Sequence, residues 1–471
     1  MAGGTWTIQN KRRPGAYINT KGATQAKPDT TIGRTLLINA NPLNWGKNGV
    51  IELDYNSDFQ ALLGAGINSD GFAALRETLK GALTVLLVNS NTGEKAMLAD
   101  DKLPWSFTAK YAGTKGNDIT VDVEKDPNDE TKVTVTTLYQ TKMVNQQVVR
   151  TTSAATLKSN NYVDVVLVPD ATPDPTPEKG KIRATASTVG EDKLVALPAS
   201  SSYQLIGGTT TDDGDITEMV TTAMDSEQYN VVTTAGFDLD SNIHALVAET
   251  TKRLREESGY KIRAVIPNNE GIYFDYEGVS VVANGVELLD GTLLDTTIAT
   301  GWFAGISSAT GIGKSLTYTT YPDAVAANPK FTNEKTISAL DDGQVVFTTR
   351  RDDTVVVEQD INSLTTITDD KPIAFTKNRV IRTLDDIATD TADVFESQFI
   401  GKIDNNSTGR DLFKANRVSY LSTLNAAGII QGFDAEDLTV EPGIDADSIV
   451  VTLGITPVDS MEKLYMTITV R

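Results

Sequence analysis

The spacing of apolar residues changes character four times along the chain, and each change predicts a different kind of structure. From residue 31 to about 95 it reads strand, helix, strand. Residues 35–38 form a short apolar run, and a helix over 70–81 carries Phe72, Leu75 and Leu79 on one face and stops at Gly81. Residues 83–88 are almost wholly apolar, as in a strand buried on both faces. From about 100 to 200 no helical period occurs. Runs rich in Val and Thr at 118–123, 132–138, 147–152 and 162–168, divided by turn residues such as Asp126-Pro127-Asn128, predict an inserted all-β module, most simply a sandwich. Prolines at 169, 173, 175 and 177 then predict an exposed loop. From about 203 to 322 helices (216–225, 242–258, 296–309) alternate with strands (229–234, 261–266, 279–282). This alternation implies a parallel, doubly wound sheet that the 31–95 unit joins. In the 242–258 helix the inner face carries Ile243, Leu246, Val247 and Leu254, the outer face Lys252 and Arg255.

The last 140 residues follow a different grammar. A helix near 333–340 leads into a hairpin, 344–349 with 354–359, joined by Arg350-Arg351-Asp352-Asp353. Helices at 379–400 and 408–427 precede closing strands at 448–453 and 462–470. In the final strand Leu464, Met466, Ile468 and Val470 alternate with Tyr465, Thr467 and Thr469, which gives it one apolar face. The first 30 residues read as an extended arm, with four glycines, two prolines and two β-like patches, Thr5-Trp6-Thr7-Ile8 and Ala16-Tyr17-Ile18-Asn19. Neither patch can bury its own apolar side chains, so each must dock on its own domain or on a neighbouring copy. The expected division is an N-terminal arm (1–30), the first part of a central α/β domain (31–98), an inserted β-sandwich (99–202), the rest of the α/β domain (203–330) and a C-terminal α+β domain (331–471).

Composition narrows the function. The 471 residues suffice for roughly three domains at about 150 residues each. With no cysteine there is no disulfide, thiolate metal site or thiol nucleophile, and a single histidine, His244, excludes multi-histidine metal sites. The balance of 42 basic and 63 acidic side chains, a formal charge of −21, argues against a nucleic-acid backbone as partner. Lys11-Arg12-Arg13 is followed by no apolar stretch of signal-peptide type, and the longest apolar run, 82–88, is far short of the roughly 20 residues that span a membrane. Synthesis in the cytosol, with release by lysis, is the expectation.

No motif in the chain assembles a catalytic or cofactor site. Residues 308–315 end like a phosphate-binding loop, but Ser308 stands where the first glycine is required. Asp238, Asp240, Asn242 and Glu249 have calcium-loop spacing, yet Ile243 occupies the turn glycine's position, and a helix N-terminus explains the same acids. Gly305-Ile306-Ser307-Ser308-Ala309 is a faint echo of a serine-nucleophile turn, and His244 has no evident serine and carboxylate partners. The expectation is no catalytic residue, no metal and no cofactor.

Several strings, taken together, resemble a contractile-tail sheath protein of the kind found in phages of Gram-positive bacteria, their defective prophages and phage-tail-like bacteriocins. They are Gly3-Gly4-Thr5-Trp6-Thr7 with Arg13-Pro14-Gly15-Ala16-Tyr17-Ile18, then Leu205-Ile206-Gly207-Gly208-Thr209, then Asn378-Arg379-Val380-Ile381-Arg382, Phe399-Ile400-Gly401-Lys402 and the run from Pro457 to Tyr465. The resemblance implies a central α/β domain that is subtilisin-like without protease activity. It also implies a helical homopolymer around an inner tail tube, with baseplate and tail terminator proteins as further partners, and no direct contact with nucleic acid or insertion in a membrane. On this reading Trp6, Ile8, Tyr17, Ile18, Leu464, Met466, Ile468 and Val470 pair as added strands with neighbouring subunits. A hydrolase of subtilisin-like fold with a degenerate site, and a surface adhesin, are the alternatives from other classes.

Overall fold

The computed structural model describes residues 32–470 except 101–102, 130, 151–155, 168–199, 212–215 and 270–272, and in the arm the two-residue strands Gly3–Gly4 and Ala16–Tyr17, which pair in parallel. Trp6, Ile8 and Ile18 lie outside the described residues, and of Tyr17 only the backbone is described.

A seven-stranded sheet forms the centre. Its elements are β1 (Arg34–Ile38), β2 (Gly49–Leu53), α1 (Ala73–Leu79), β3 (Thr84–Asn89), α2 (Ile216–Ser226), β4 (Val231–Thr233), α3 (Ile243–Glu256), β5 (Arg263–Pro267), β6 (Val279–Val282), α4 (Thr296–Ala309) and β7 (Gln344–Val345). The strand order is β7-β6-β5-β4-β1-β3-β2, parallel throughout except for the β2 edge. The two segments flanking the sandwich therefore share one sheet, as the alternation predicts. Because side chains alternate along a strand, Leu36, Ile38, Val232, Ala264 and Ile266 pack under α2 and α3. Leu37, Val85 and Leu87 face the α1 side, and Val231 and Val265 face α4, on the opposite surface.

Small residues set how closely α4 approaches α1. A Cβ on Gly305 would stand 2.2 Å from the Thr78 carbonyl oxygen, and one on Gly301 2.7 Å from the Thr78 hydroxyl. Asp295 caps α4 by accepting from the Ile298 N–H. Beneath it Trp302 stacks on Tyr321 at 4.1 Å between ring centres.

The inserted module has two antiparallel sheets around one core. Lys142–Arg150, Lys132–Tyr139, Ile119–Lys125 and Ser201–Gln204 form one; Val163–Leu167, Trp105–Ala112 and Lys95–Leu98 form the other. Residues 95–98, read from sequence as α/β, thus pair with the sandwich. Trp45 joins the two bodies: it is fully buried, donates to the Ala61 carbonyl at 2.8 Å and meets the rings of Tyr111, Tyr139 and Tyr162. Beyond the sandwich, Asn117 accepts from the Gly208 N–H and donates to its carbonyl, and a Cβ on Gly208 would lie 2.6 Å from the Gly113 oxygen.

Past residue 330 the chain departs from expectation in two places. The run 344–349 is two strands: β7 completes the central sheet, and Phe347–Thr349 pairs with Val355–Val357 against the Trp302 core. The α/β body therefore extends well past 330, because Val345 and Phe347 are buried by it. The C-terminal domain follows with α5 (Asn378–Val394), a π-helical turn at Phe395–Phe399, α6 (Ser407–Ala426), β8 (Leu438–Pro442) and β9 (Ile449–Leu453). The second departure is the predicted final strand over 462–470, which forms no strand within the single chain. Leu464, Met466, Ile468 and Val470 are 70% to 91% exposed, and Tyr465 on the other face is 90% exposed. An alternating pattern requires a partner strand, and none of the described residues provides one.

Candidate functional site

The side chains whose chemistry is that of a catalytic site are tied into the fold. His244, at the start of α3, is fully buried. Its Nε2–H donates to the Asp238 carbonyl at 2.9 Å, and Nδ1 stands 2.7 Å from the Thr234 hydroxyl, which donates to it when the ring is neutral. Burial lowers its pKa from the ordinary 6.5, only partly opposed by the Asp238 hydrogen bond and the charge of Asp240. A depressed histidine pKa adds stability that is complete above about pH 6.5 and is lost as pH falls through 6.5 toward the folded value. Since this is the chain's single histidine, its NMR titration should show a midpoint below 6.5; a midpoint at or above 6.5 would contradict the buried neutral ring.

Ser307 and Ser308 lie on α4, on the opposite face of the sheet from α3. Ser307 accepts from Arg263 at 3.3 Å, while Ser308 donates to the Gly305 carbonyl and accepts from Thr35. Neither is presented as a nucleophile. The loop resembling a phosphate cradle is tied down by its own backbone: the Lys314 carbonyl accepts from Arg382, and the Leu316 N–H donates to Asp360. Among the described residues no three His, Asp or Glu side chains group as a metal site.

Two other constellations stand out. The first is a buried ionic clasp between the α/β body and α5. Asp360 and Arg382 are 1% and 4% exposed. Arg382 Nη2 donates to Asp360 Oδ2 at 2.5 Å, and Asn378 donates to Oδ1 at 3.0 Å. One turn further along α5, Asp385 receives both terminal nitrogens of Arg255, at 2.7 and 2.9 Å. Arg255 is thus buried, not on the solvent face as its helical position predicts. Burial by itself lowers the Arg255 pKa, but the charge and hydrogen bonds of Asp385 outweigh it and raise it. Arg263, beside them, is pushed down to about 9 by burial and then by the charge of Arg382. Sequence reasoning missed this clasp. Its signal is the stripe Asn378, Ile381, Arg382 and Asp385 at helical spacing, where charges share a face with buried Ile381.

The second is the C-terminal edge. β8 and β9 form a two-stranded antiparallel hairpin, and Ile430–Gln431 pairs with Thr456–Pro457 beside it. Among the described residues, β8 and β9 each have one strand neighbour, so each leaves a row of main-chain donors and acceptors open. Val450 and Val451 are exposed on β9. The chain then leaves the domain through a fixed point. Glu462 accepts from Lys377 and, at 2.9 Å, from the Thr317 hydroxyl. Burial would raise this carboxyl; the hydrogen bonds of Lys377 and Thr317 and the Lys377 charge outweigh burial and hold it below its ordinary 4.5. Beyond Glu462 the exposed apolar tail follows, with Leu464, Met466, Ile468 and Val470 together on it.

Comparison with known proteins covers nearly the whole chain. Residues 91–212 match the phage tail sheath protein beta-sandwich domain, 211–363 the phage tail sheath protein central domain, and 370–471 the phage tail sheath C-terminal domain. The phage-like element PBSX protein XkdK of Bacillus subtilis (strain 168) is 32% identical over 483 residues, covering 100% of both chains. The crystal structure of the sheath tail protein from Desulfitobacterium hafniense is 33% identical with a TM-score of 0.73, over 96% of this chain and 99% of that one. The helical sheath of the anti-feeding prophage in its contracted state shares the fold at 12% identity, with a TM-score of 0.53 over 97% of this chain and 98% of that one.

Proposed function

This chain belongs to the phage tail sheath family and is a structural subunit of a contractile tail or tail-like particle, not an enzyme; from that premise we propose how its two ends join copies into a polymer. The arm around Trp6, Ile8, Tyr17 and Ile18 and the tail carrying Leu464, Met466, Ile468 and Val470 add as strands to the open β8–β9 sheet of neighbouring subunits. Main-chain hydrogen bonds supply strength, and alternating side chains set register. The observation that carries this reading is an unfilled sheet edge together with an apolar tail that finds no partner among the described residues. A two-stranded hairpin is marginal in water, and added strands complete it.

The resulting homopolymer surrounds a tail tube, ends on baseplate and terminator proteins, and drives the tube through the target envelope when it contracts. Assembly takes place in the host cytoplasm, with release by lysis. The energy resides in an extended packing that is less stable than the contracted one, and connectors such as residues 20–31 and 454–460 absorb the motion while the strands stay paired. The central domain is of subtilisin-like architecture: a parallel sheet covered by α2 and α3 on one face and by α1 and α4 on the other supports it.

Removing residues 1–20 should leave a folded subunit with the thermal midpoint of the full chain that sediments as a monomer under conditions where the full chain forms tubes. Tubes of ordinary length from the shortened chain would refute strand addition by the arm.

A further inference from the structure

We propose that the open β8–β9 edge is an acidic docking surface for the basic N-terminal arm, residues 1–31, of a second copy of this chain, so that charge as well as strand pairing selects the occupant. The inference rests on the strand-addition reading above and adds its selectivity. From residue 418 to 462 the chain holds eight acids (Asp434, Glu436, Asp437, Glu441, Asp445, Asp447, Asp459, Glu462) and no lysine or arginine. The hairpin lies within this stretch. Glu436, Glu441, Asp445 and Asp447 are exposed, and among the described residues none of the four is ion-paired. Ile444 at the hairpin turn and Val450 on β9 are exposed among them.

The arm has the opposite bias. Residues 1–31 hold five cations (Lys11, Arg12, Arg13, Lys21, Lys27) against one acid, Asp29. Three of the cations stand together between the two β-like patches, where an added strand would bring them alongside the hairpin. The C-terminal tail also carries two cations, Lys463 and Arg471, but they stand apart on either side of seven uncharged residues and form no cluster like Lys11-Arg12-Arg13. Two identical hairpins meeting edge to edge would set acid against acid, and like charges directly opposite destabilise a sheet. The same acids that repel a second hairpin attract the arm. One chain thus carries a guarded edge together with a segment whose charge is suited to fill it.

The test uses the full chain, with assembly followed by light scattering and the products viewed by electron microscopy. Raising sodium chloride from 50 to 500 mM should slow assembly about tenfold or more, since screening removes the attraction between exposed charges. At low salt, the arm reversal K11E/R12E/R13E and the hairpin reversal E441K/D445K/D447K should each slow assembly about tenfold. The chain carrying both reversals should return to within about threefold of the wild type, which a folding defect could not do. Single reversals assembling at the wild-type rate, or a doubly reversed chain no faster than either, would overturn the charge match. If those chains assemble normally while removal of residues 1–20 abolishes assembly, strand addition stands and charge selection falls. If the shortened chain assembles, both fall.

Discussion

Replacing Asp360 by alanine should cost about 3–5 kcal/mol, because it strands the buried Arg382 charge, with Arg263 close by, in a site that solvent does not reach. The same change removes the acceptor for the Leu316 N–H and one of the three acceptors around the Asn378 amide, which keeps Ser280 and the Ile361 carbonyl. Those two losses allow the charge contribution to be separated. The pair Asp360→Leu with Arg382→Met removes both charges, so it should recover most of the loss. What remains is chiefly the cost of the orphaned Leu316 N–H, about 1–3 kcal/mol. Denaturant unfolding of the monomeric chain lacking residues 1–20, together with hydrogen exchange resolved to α5, measures both. An Asp360→Ala chain within 1 kcal/mol of the parent would show that the clasp contributes little.

The second large effect concerns Gly305 on α4. In an exposed helix, alanine in place of glycine stabilises by about 1 kcal/mol. Here the sign should reverse. The new Cβ would meet the Thr78 carbonyl oxygen at 2.2 Å and the Ala82 nitrogen at 2.9 Å, and both are backbone atoms of a packed neighbour that cannot rotate away. Forced separation of α4 from α1 should cost about 2–3 kcal/mol net, lowering the denaturation midpoint of the central domain. Gly311→Ala, where nothing lies within 4 Å of the added carbon, should change stability by less than about 0.5 kcal/mol. Equal behaviour of the two variants would mean the helices do not pack as described.

What the sequence revealed, and what it hid, follows from the range over which each feature is determined. The helix over 296–309 and the strand over 279–282 have the bounds that local periodicity predicts, since their apolar runs and caps are contained in the segment itself. Arg255 was misplaced because what buries it, Asp385, stands 130 residues away. The split at 344–349 was hidden because Val345 and Val346 continue one apolar run, although β7 pairs with β6 and Phe347 turns to pair with Val357. Strand Lys95–Leu98 carries too little pattern to say which sheet it enters. For the candidate assembly residues, the tail's alternation is legible, but no strand among the described residues pairs with it. Trp6, Ile8 and Ile18 lie outside the described residues, so for them the sequence remains the sole guide.

Glu462 also gives the tail a fixed root, held by Lys377 and Thr317. Its root holds at neutral pH, and because the folded pKa is depressed, the root's stabilising contribution is lost only as pH falls below 4.5 and through that lower value. From this root to Val470, where the alternating apolar positions stop, run eight residues, 463–470, which at about 3.3 Å each span roughly 26 Å. On the strand-addition reading proposed above, a neighbour that takes up Leu464 through Val470 must present its sheet within that distance of Glu462 in every state of the particle. The rooted segment would then limit how far subunits joined through those residues can separate.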